Sequence, residues 1–156
     1  MEMLFRYNWQ VRQEWMDWCR QLPTSELTRQ RTGGVGSILK TLIHIVDVEH
    51  SWLCDLQGKP DQSEWFQTVD SLEQIIDLSD RFQPEISRYV SEWTPEMEQQ
   101  ILQAVRKDGS AEQYTYGEVM RHVIAHEIHH MGQLSVWSRE LGREPVSANL
   151  IRRGLS

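Results

Sequence analysis

Cysteine, clustered basic charge and long apolar runs are what this chain has little of, and each shortage excludes something. Two cysteines, Cys19 and Cys54, are too few for a disulfide framework. Both fall among apolar neighbours in predicted helices, where a reduced cysteine acts as a small hydrophobe. No apolar run approaches the ~20 residues needed to span a bilayer, so no membrane partner is expected. The opening, MEMLFRYNWQ, carries Glu2 and no apolar h-region. It predicts no signal peptide and a cytoplasmic protein. Basic residues are scattered and the net charge is −7. Phosphate affinity comes mainly from clustered Lys and Arg, so nucleic acid is not an expected partner either. No repeat, low-complexity stretch or linker interrupts the 156 residues. We read 1–156 as one domain, long enough to bury a core without disulfides.

What is present is mostly helical pattern. Leu4, Val11, Trp15, Trp18, Cys19 and Leu22 form an apolar stripe from about Met3 to Leu22, ended by Pro23. A second helix is expected from Ser37 to Leu56, opened by an N-cap serine and stopped by Gly58-Lys59-Pro60. A third spans about Ser71 to Trp93, with Ser71 and Gln74 at capping-box spacing and a kink or break expected at Pro84. Between them, 23–37 and 58–70 read as loops. Met97–Tyr116 suggests a small hairpin turning at Asp108-Gly109. The last helix opens on the Thr115/Glu118 capping box and stops at Gly142. The tail after Pro145 has room for one more helical turn. Four long amphipathic helices predict an all-α four-helix bundle, with a β-hairpin before the last helix. Seven tryptophans, Trp9, Trp15, Trp18, Trp52, Trp65, Trp93 and Trp137, suit helix packing or the wall of a ligand pocket.

All six histidines fall in two short stretches. His44 and His50 lie in TLIHIVDVEHSW; His122, His126, His129 and His130 lie in EVMRHVIAHEIHHMGQL. At about 100° per residue, Val119, Val123, Trp137 and Leu141 share one stripe of the last helix, with His130 at its centre. His126 lies within roughly 60° of each of them. His126 and His130 thus occupy core positions, one turn apart on one side of the helix. Two imidazoles in a bundle interior are costly unless their nitrogens are satisfied, and a divalent cation satisfies them. His44, flanked by Leu42, Ile43, Ile45 and Val48, is the expected third ligand from the second helix. Three protein ligands leave positions open for substrate, as in catalytic sites. His122 and His129 are read as partly exposed or supporting residues, and His50 as not a ligand.

His126-Glu127-Ile128-His129-His130 also spells H-E-x-x-H, the zinc-metalloprotease motif. That reading needs a sheet beside the helix and a downstream ligand, for which only Glu140 and Glu144 are on offer. Glu127 is a candidate catalytic residue that orients a ligand or moves a proton. As an ordinary surface carboxylate it needs no role.

The segments TLIHIVDVEHSWL and YGEVMRHVIAHEIHHMGQLSVWSRELG, with the closing Pro145, resemble the DinB-like (DNA-damage-inducible B) superfamily. The resemblance covers nearly the whole chain. Its most specific part is His126, three residues, His130, then Met131-Gly132-Gln133-Leu134, with Leu141-Gly142 following. It implies a four-helix bundle with a divalent metal on one histidine from the second helix and two from the last, matching His44, His126 and His130. It implies homodimers, and, in several branches, metal-dependent thiol transfer with a low-molecular-weight thiol such as bacillithiol or mycothiol. The expected function is metal-dependent thiol S-transfer or hydrolysis on a small-molecule substrate, with zinc or nickel as cofactor. The alternative is a non-catalytic, metal-binding or stress-associated dimer. A second apolar strip on the last helix, Met120, Ile124, Ile128 and Met131, suits self-association or another helix of the same subunit.

Overall fold

A computed structural model describes residues 1–105 and 109–155. Four long helices carry the fold: α1 (Glu2–Cys19), α3 (Ile38–Gln57), α5 (Leu72–Ser91) and α6 (Tyr116–Glu140). Two short helices, α2 (Thr24–Thr28) and α4 (Ser63–Gln67), lie in stretches predicted as loops. Each is only five residues long, too short to leave a periodic signal. Both are held by packing, through the buried side chains of Leu27 and Phe66.

The boundaries of the long helices follow local chemistry. The Ser37 hydroxyl accepts from the Lys40 amide at the start of α3, and Gly58, at φ 62°, turns the chain at its end. Ser71/Gln74 and Thr115/Glu118 form capping boxes at α5 and α6. The break expected at Pro84 does not occur: α5 runs through it without interruption. Pro84 and Asp80, whose carbonyl loses its donor, are both exposed, so water can replace the missing bond.

Each long helix packs on two neighbours, in the cyclic order α1, α6, α3, α5. Phe5, Trp15, Met16, Leu42, Ile45, Leu53, Ile75 and Met120 fill the centre. The predicted hairpin is present. A 3-10 turn at Pro95–Gln99 leads into β1 (Ile101–Val105), which pairs antiparallel with β2 (Ala111–Thr115). The turn at Asp108 lies outside the described residues. Leu102 and Tyr114 are paired partners, and both are half-buried against the core cluster. Strand β2 runs directly into α6 and fixes where that helix enters the bundle.

The tail forms no helix over 143–150. It lies along α1, where Tyr7 Oη donates to Ala148 O at 2.8 Å and Trp18 Nε1 to Glu144 O at 3.0 Å. The second apolar strip of α6 is largely covered within the subunit. Met120, Ile124 and Met131 are buried, and only Ile128 of the four is exposed. Among the described residues no helix is long and apolar enough to cross a membrane.

Candidate metal centre

Helices α3 and α6 are adjacent, and this brings together the two histidine stretches. His126 Nε2 lies 3.0 Å from His44 Nε2 and 3.1 Å from His130 Nε2. The three ligand atoms all fall within 4.8 Å of one another. Nitrogens bound to a cation at 2.0–2.1 Å stand roughly 2.9 Å apart at octahedral angles and roughly 3.3 Å apart at tetrahedral ones. The two spacings from His126 lie in that range. His130 is buried, while His44 and His126 are half-buried.

The protonation states suit a cation. Burial, with His130 nearby, lowers the pKa of His44. Burial, followed by repulsion from His130 and His44, lowers His126 to about 4. Burial also lowers His130, against the opposing hydrogen bond to Gln133. All three rings are therefore neutral at pH 7 and carry free lone pairs.

Their tautomers are constrained too. His130 Nδ1 donates to Gln133 Oε1 at 2.8 Å, which leaves its Nε2 bare. His126 Nε2 faces two imidazole nitrogens at once. One N–H cannot satisfy both contacts fully, and a bare His126 nitrogen would face the bare His130 nitrogen. A cation at the meeting point satisfies all three lone pairs. The donor set thus fits a divalent metal.

Gln133, which the sequence reading quoted only as part of the family motif, holds one of the candidate ligands in place. Its Oε1 fixes His130, and its Nε2 donates to His129 Nε2 at 3.0 Å. The glycine loop packs over it. Gly34 has φ 53°, and a Cβ there would collide with Gln133 Oε1 and pass 3.3 Å from Trp137 Cη2. Trp137 Nε1 in turn donates to Thr32 O. The available signal was the position of Gln133, one turn beyond His130 on the same helix.

A second feature was also missed. Arg12 of α1 is buried between two carboxylates. Its Nε and Nη2 bond Glu127 at 2.7 and 3.1 Å, and Nη2 bonds Glu49 at 2.7 Å. Trp9 Nε1 adds a 2.7 Å bond to Glu49. Glu127 is therefore not a surface carboxylate; it is 1% exposed. Burial, with Glu49 beside it, pushes its pKa up to about 7 against the pull of Arg12. Its carboxylate is engaged by Arg12 and is not among the three clustered ligands. The sheet that a zinc-protease fold needs is also missing: among the described residues the only sheet is the two-stranded hairpin.

The remaining histidines lie outside the cluster. His50 is buried, with Nε2 3.5 Å from Cys54 Sγ and its ring 3.8 Å from that of Phe82. His129 is exposed on Gln133. His122 is exposed, its ring 5.7 Å from His126 and 5.9 Å from Trp52. Both cysteines are free and buried.

A four-helix bundle with three convergent histidines, one from α3 and two from α6, defines a class of helical proteins with a site that could hold a divalent metal. The chain belongs to the DinB family, whose profile it matches over residues 1–154. It is 45% identical over 155 residues to the uncharacterized protein YizA of Bacillus subtilis (strain 168), covering 99% of this chain and 96% of that one. A crystal structure of a DinB-like protein from Bacillus cereus ATCC 10987 shares the fold, with a TM-score of 0.66 at 20% identity over 88% of each chain.

Proposed function

We propose that this protein is a metal-dependent enzyme that transfers a low-molecular-weight thiol to, or hydrolyses, a small electrophilic substrate. The observation that carries this reading is the convergence of the His44, His126 and His130 nitrogens, held neutral and half open. His44, His126 and His130 would hold the cation, with zinc or nickel matching the imidazole donors. When bound, a divalent cation there supplies Lewis acidity that favours the anionic form of a thiol or water at neutral pH. Gln133 keeps the His130 lone pair aimed at the site. Arg12 and Glu127 tie α6 to α1, so Glu127 acts as a positioning residue. His122 and His129, exposed beside the ligands, are the groups free to move a proton to or from solvent.

The test has two stages. Metal analysis of protein purified without chelator should find about one divalent ion per chain, lost in His44→Ala and His126→Ala and kept in His50→Ala. A thiol-plus-electrophile assay, with and without chelator, then reads turnover. Activity that survives complete metal removal overturns the enzyme reading.

A second reading, a dimeric bundle whose metal only stabilises it, is favoured by one observation. On the outer face of α6, Ile128 and Val136 are 41% and 57% exposed, with Gly132 between them. They align within roughly 80° on the helix, a strip on which a second copy can pack.

A further inference from the structure

A recess of about 270 Å³ opens beside the metal centre, lined by Trp52, Tyr114, Glu118, Val119 and His122. Three elements build it: α3 supplies Trp52, β2 supplies Tyr114, and the first two turns of α6 supply the rest. The Trp52 and Tyr114 rings stand 5.9 Å apart at 89°, forming a right-angled corner. A planar group in that corner can stack on one ring and meet the other edge-on, the two geometries aromatic pairs prefer. A file of rings leads from the recess toward the three histidines. Trp52 lies 5.9 Å from His122, and His122 lies 5.7 Å from His126.

Size and charge narrow the occupant. An apolar cavity of about 150 Å³ accepts a benzene-sized guest, whereas drug-sized ligands use roughly 300–1,000 Å³. The space here suits a single ring or a short branched chain. Its one carboxylate, Glu118, is committed to the cap of α6, accepting from Thr115 N at 2.7 Å and Thr115 Oγ1 at 2.9 Å. Those bonds hold its pKa below the usual carboxylate value, so it stays ionised. Among the described residues no lysine or arginine lines the recess. An anionic group is therefore disfavoured there.

We propose that this recess seats an uncharged ring or branched aliphatic group of the substrate, placed one helical turn from the atom that reacts at His44, His126 and His130. The proposal rests on the metal-enzyme reading above. It also gives the hairpin a purpose, because β2 carries one of the two aromatic walls.

Two measurements separate this proposal from the reading it rests on. In metal-free protein, p-cresol is titrated while the Trp52 indole N–H and the His122 ring are followed by NMR. Saturable shifts are expected at both, with at least five-fold weaker binding of 4-hydroxyphenylacetate, which adds a carboxylate. Trp52→Ala should abolish the His122 shift and, separately, Tyr114→Ala should abolish both shifts, while circular dichroism shows the helices retained. In cobalt-loaded protein, visible absorption then compares 2-phenylethanethiol with ethanethiol. The ring should improve affinity roughly tenfold or more, and Trp52→Ala should remove that gain. Unmoved Trp52 signals, or equal affinity for the two thiols, overturn the recess while leaving the three-histidine centre intact. Failure to take up cobalt sinks the metal reading, and with it the link between recess and centre, even if p-cresol binds.

Discussion

Arg12 Nε lies 2.7 Å from Glu127 Oε1, so the residue next to the candidate ligand His126 is tied to the neighbouring helix α1. The same guanidinium reaches Glu49, five residues beyond His44 on α3. One side chain therefore links both helices that carry histidine ligands. Removing it strands two buried carboxylates, which costs about 3–5 kcal/mol when one member of a buried pair is lost. We expect Arg12→Leu to show that loss in urea unfolding. Arg12→Lys should not rescue it, because an ammonium cannot reproduce the forked contact. Adding Glu49→Gln and Glu127→Gln to Arg12→Leu should recover part of the stability, since no charge is then left unpaired. A fully stable single mutant would mean that the cluster is not a structural tie.

Gly34 offers a way to disturb the centre without touching a ligand. A methyl there displaces the Gln133 amide, which fixes the His130 tautomer. Loss of such an outer hydrogen bond typically weakens metal affinity about 10–100-fold. Gly34→Ala and Gln133→Leu should therefore both lower affinity by that factor in competition titrations. Gly34→Ala also carries strain from its positive φ, so Gln133→Leu is the cleaner measure. Unchanged affinity in Gln133→Leu would remove Gln133 from the site.

The depressed pKa of His126 has a signed consequence for metal-free protein. Its ring titrates near 4 when folded, against 6.5 ordinarily. Above pH 6.5 both states hold a neutral ring, and its contribution to stability is complete. As pH falls from 6.5 toward 4, the unfolded ring takes up a proton that the folded ring refuses, and stability is lost. Glu127, raised by burial and by Glu49 beside it, slopes the other way: its contribution is lost as pH rises. The wild type must therefore be compared with a variant that keeps Glu127. Between pH 7.5 and 5, metal-free wild type should lose more stability in urea than His126→Asn does. The ring is half-buried and partly screened by solvent. The difference should therefore fall short of the ~1.4 kcal/mol that accompanies each tenfold change in proton affinity. Equal losses would show that the ring titrates normally.

The wheel of the last helix made His126 and His130 visible, because imidazoles stood where the pattern required Leu or Val. The same reasoning applies to Arg12, between Asn8 and Trp15 on the buried side of α1, and to Glu49, between Val46 and Leu53 on that of α3. Those charges were legible as core positions but were passed over, since a single charged residue on an apolar stripe usually reaches solvent. Only tertiary structure shows that the three charges meet. Caps were legible for a different reason: Ser71/Gln74 and Thr115/Glu118 satisfy their own helix ends locally, with no help from the fold. Whether Pro84 breaks α5 depends on whether Asp80 faces water, which sequence does not state. The Trp52–Tyr114 corner joins residues 62 positions apart and had no local signature at all.

The outer strip of α6 separates the two functional readings at the level of assembly. Met120, Ile124 and Met131 are already buried inside one subunit, so a second copy can use only Ile128, Gly132 and Val136. Charge placed on the strip should then dissociate a dimer without disturbing the core, because Val136 is 57% exposed and surface changes usually shift stability by less than about 0.5 kcal/mol. Sedimentation equilibrium of wild type and Val136→Glu checks this, with metal content measured on the same samples. A dimer that becomes a monomer while keeping its metal places the interface on α6 and leaves the centre complete within one chain. A variant that stays dimeric puts the contact elsewhere. A variant that turns monomeric and loses its metal shows that the neighbouring subunit supports His129 and Gln133, which lie N-terminal to Val136 on the same helix.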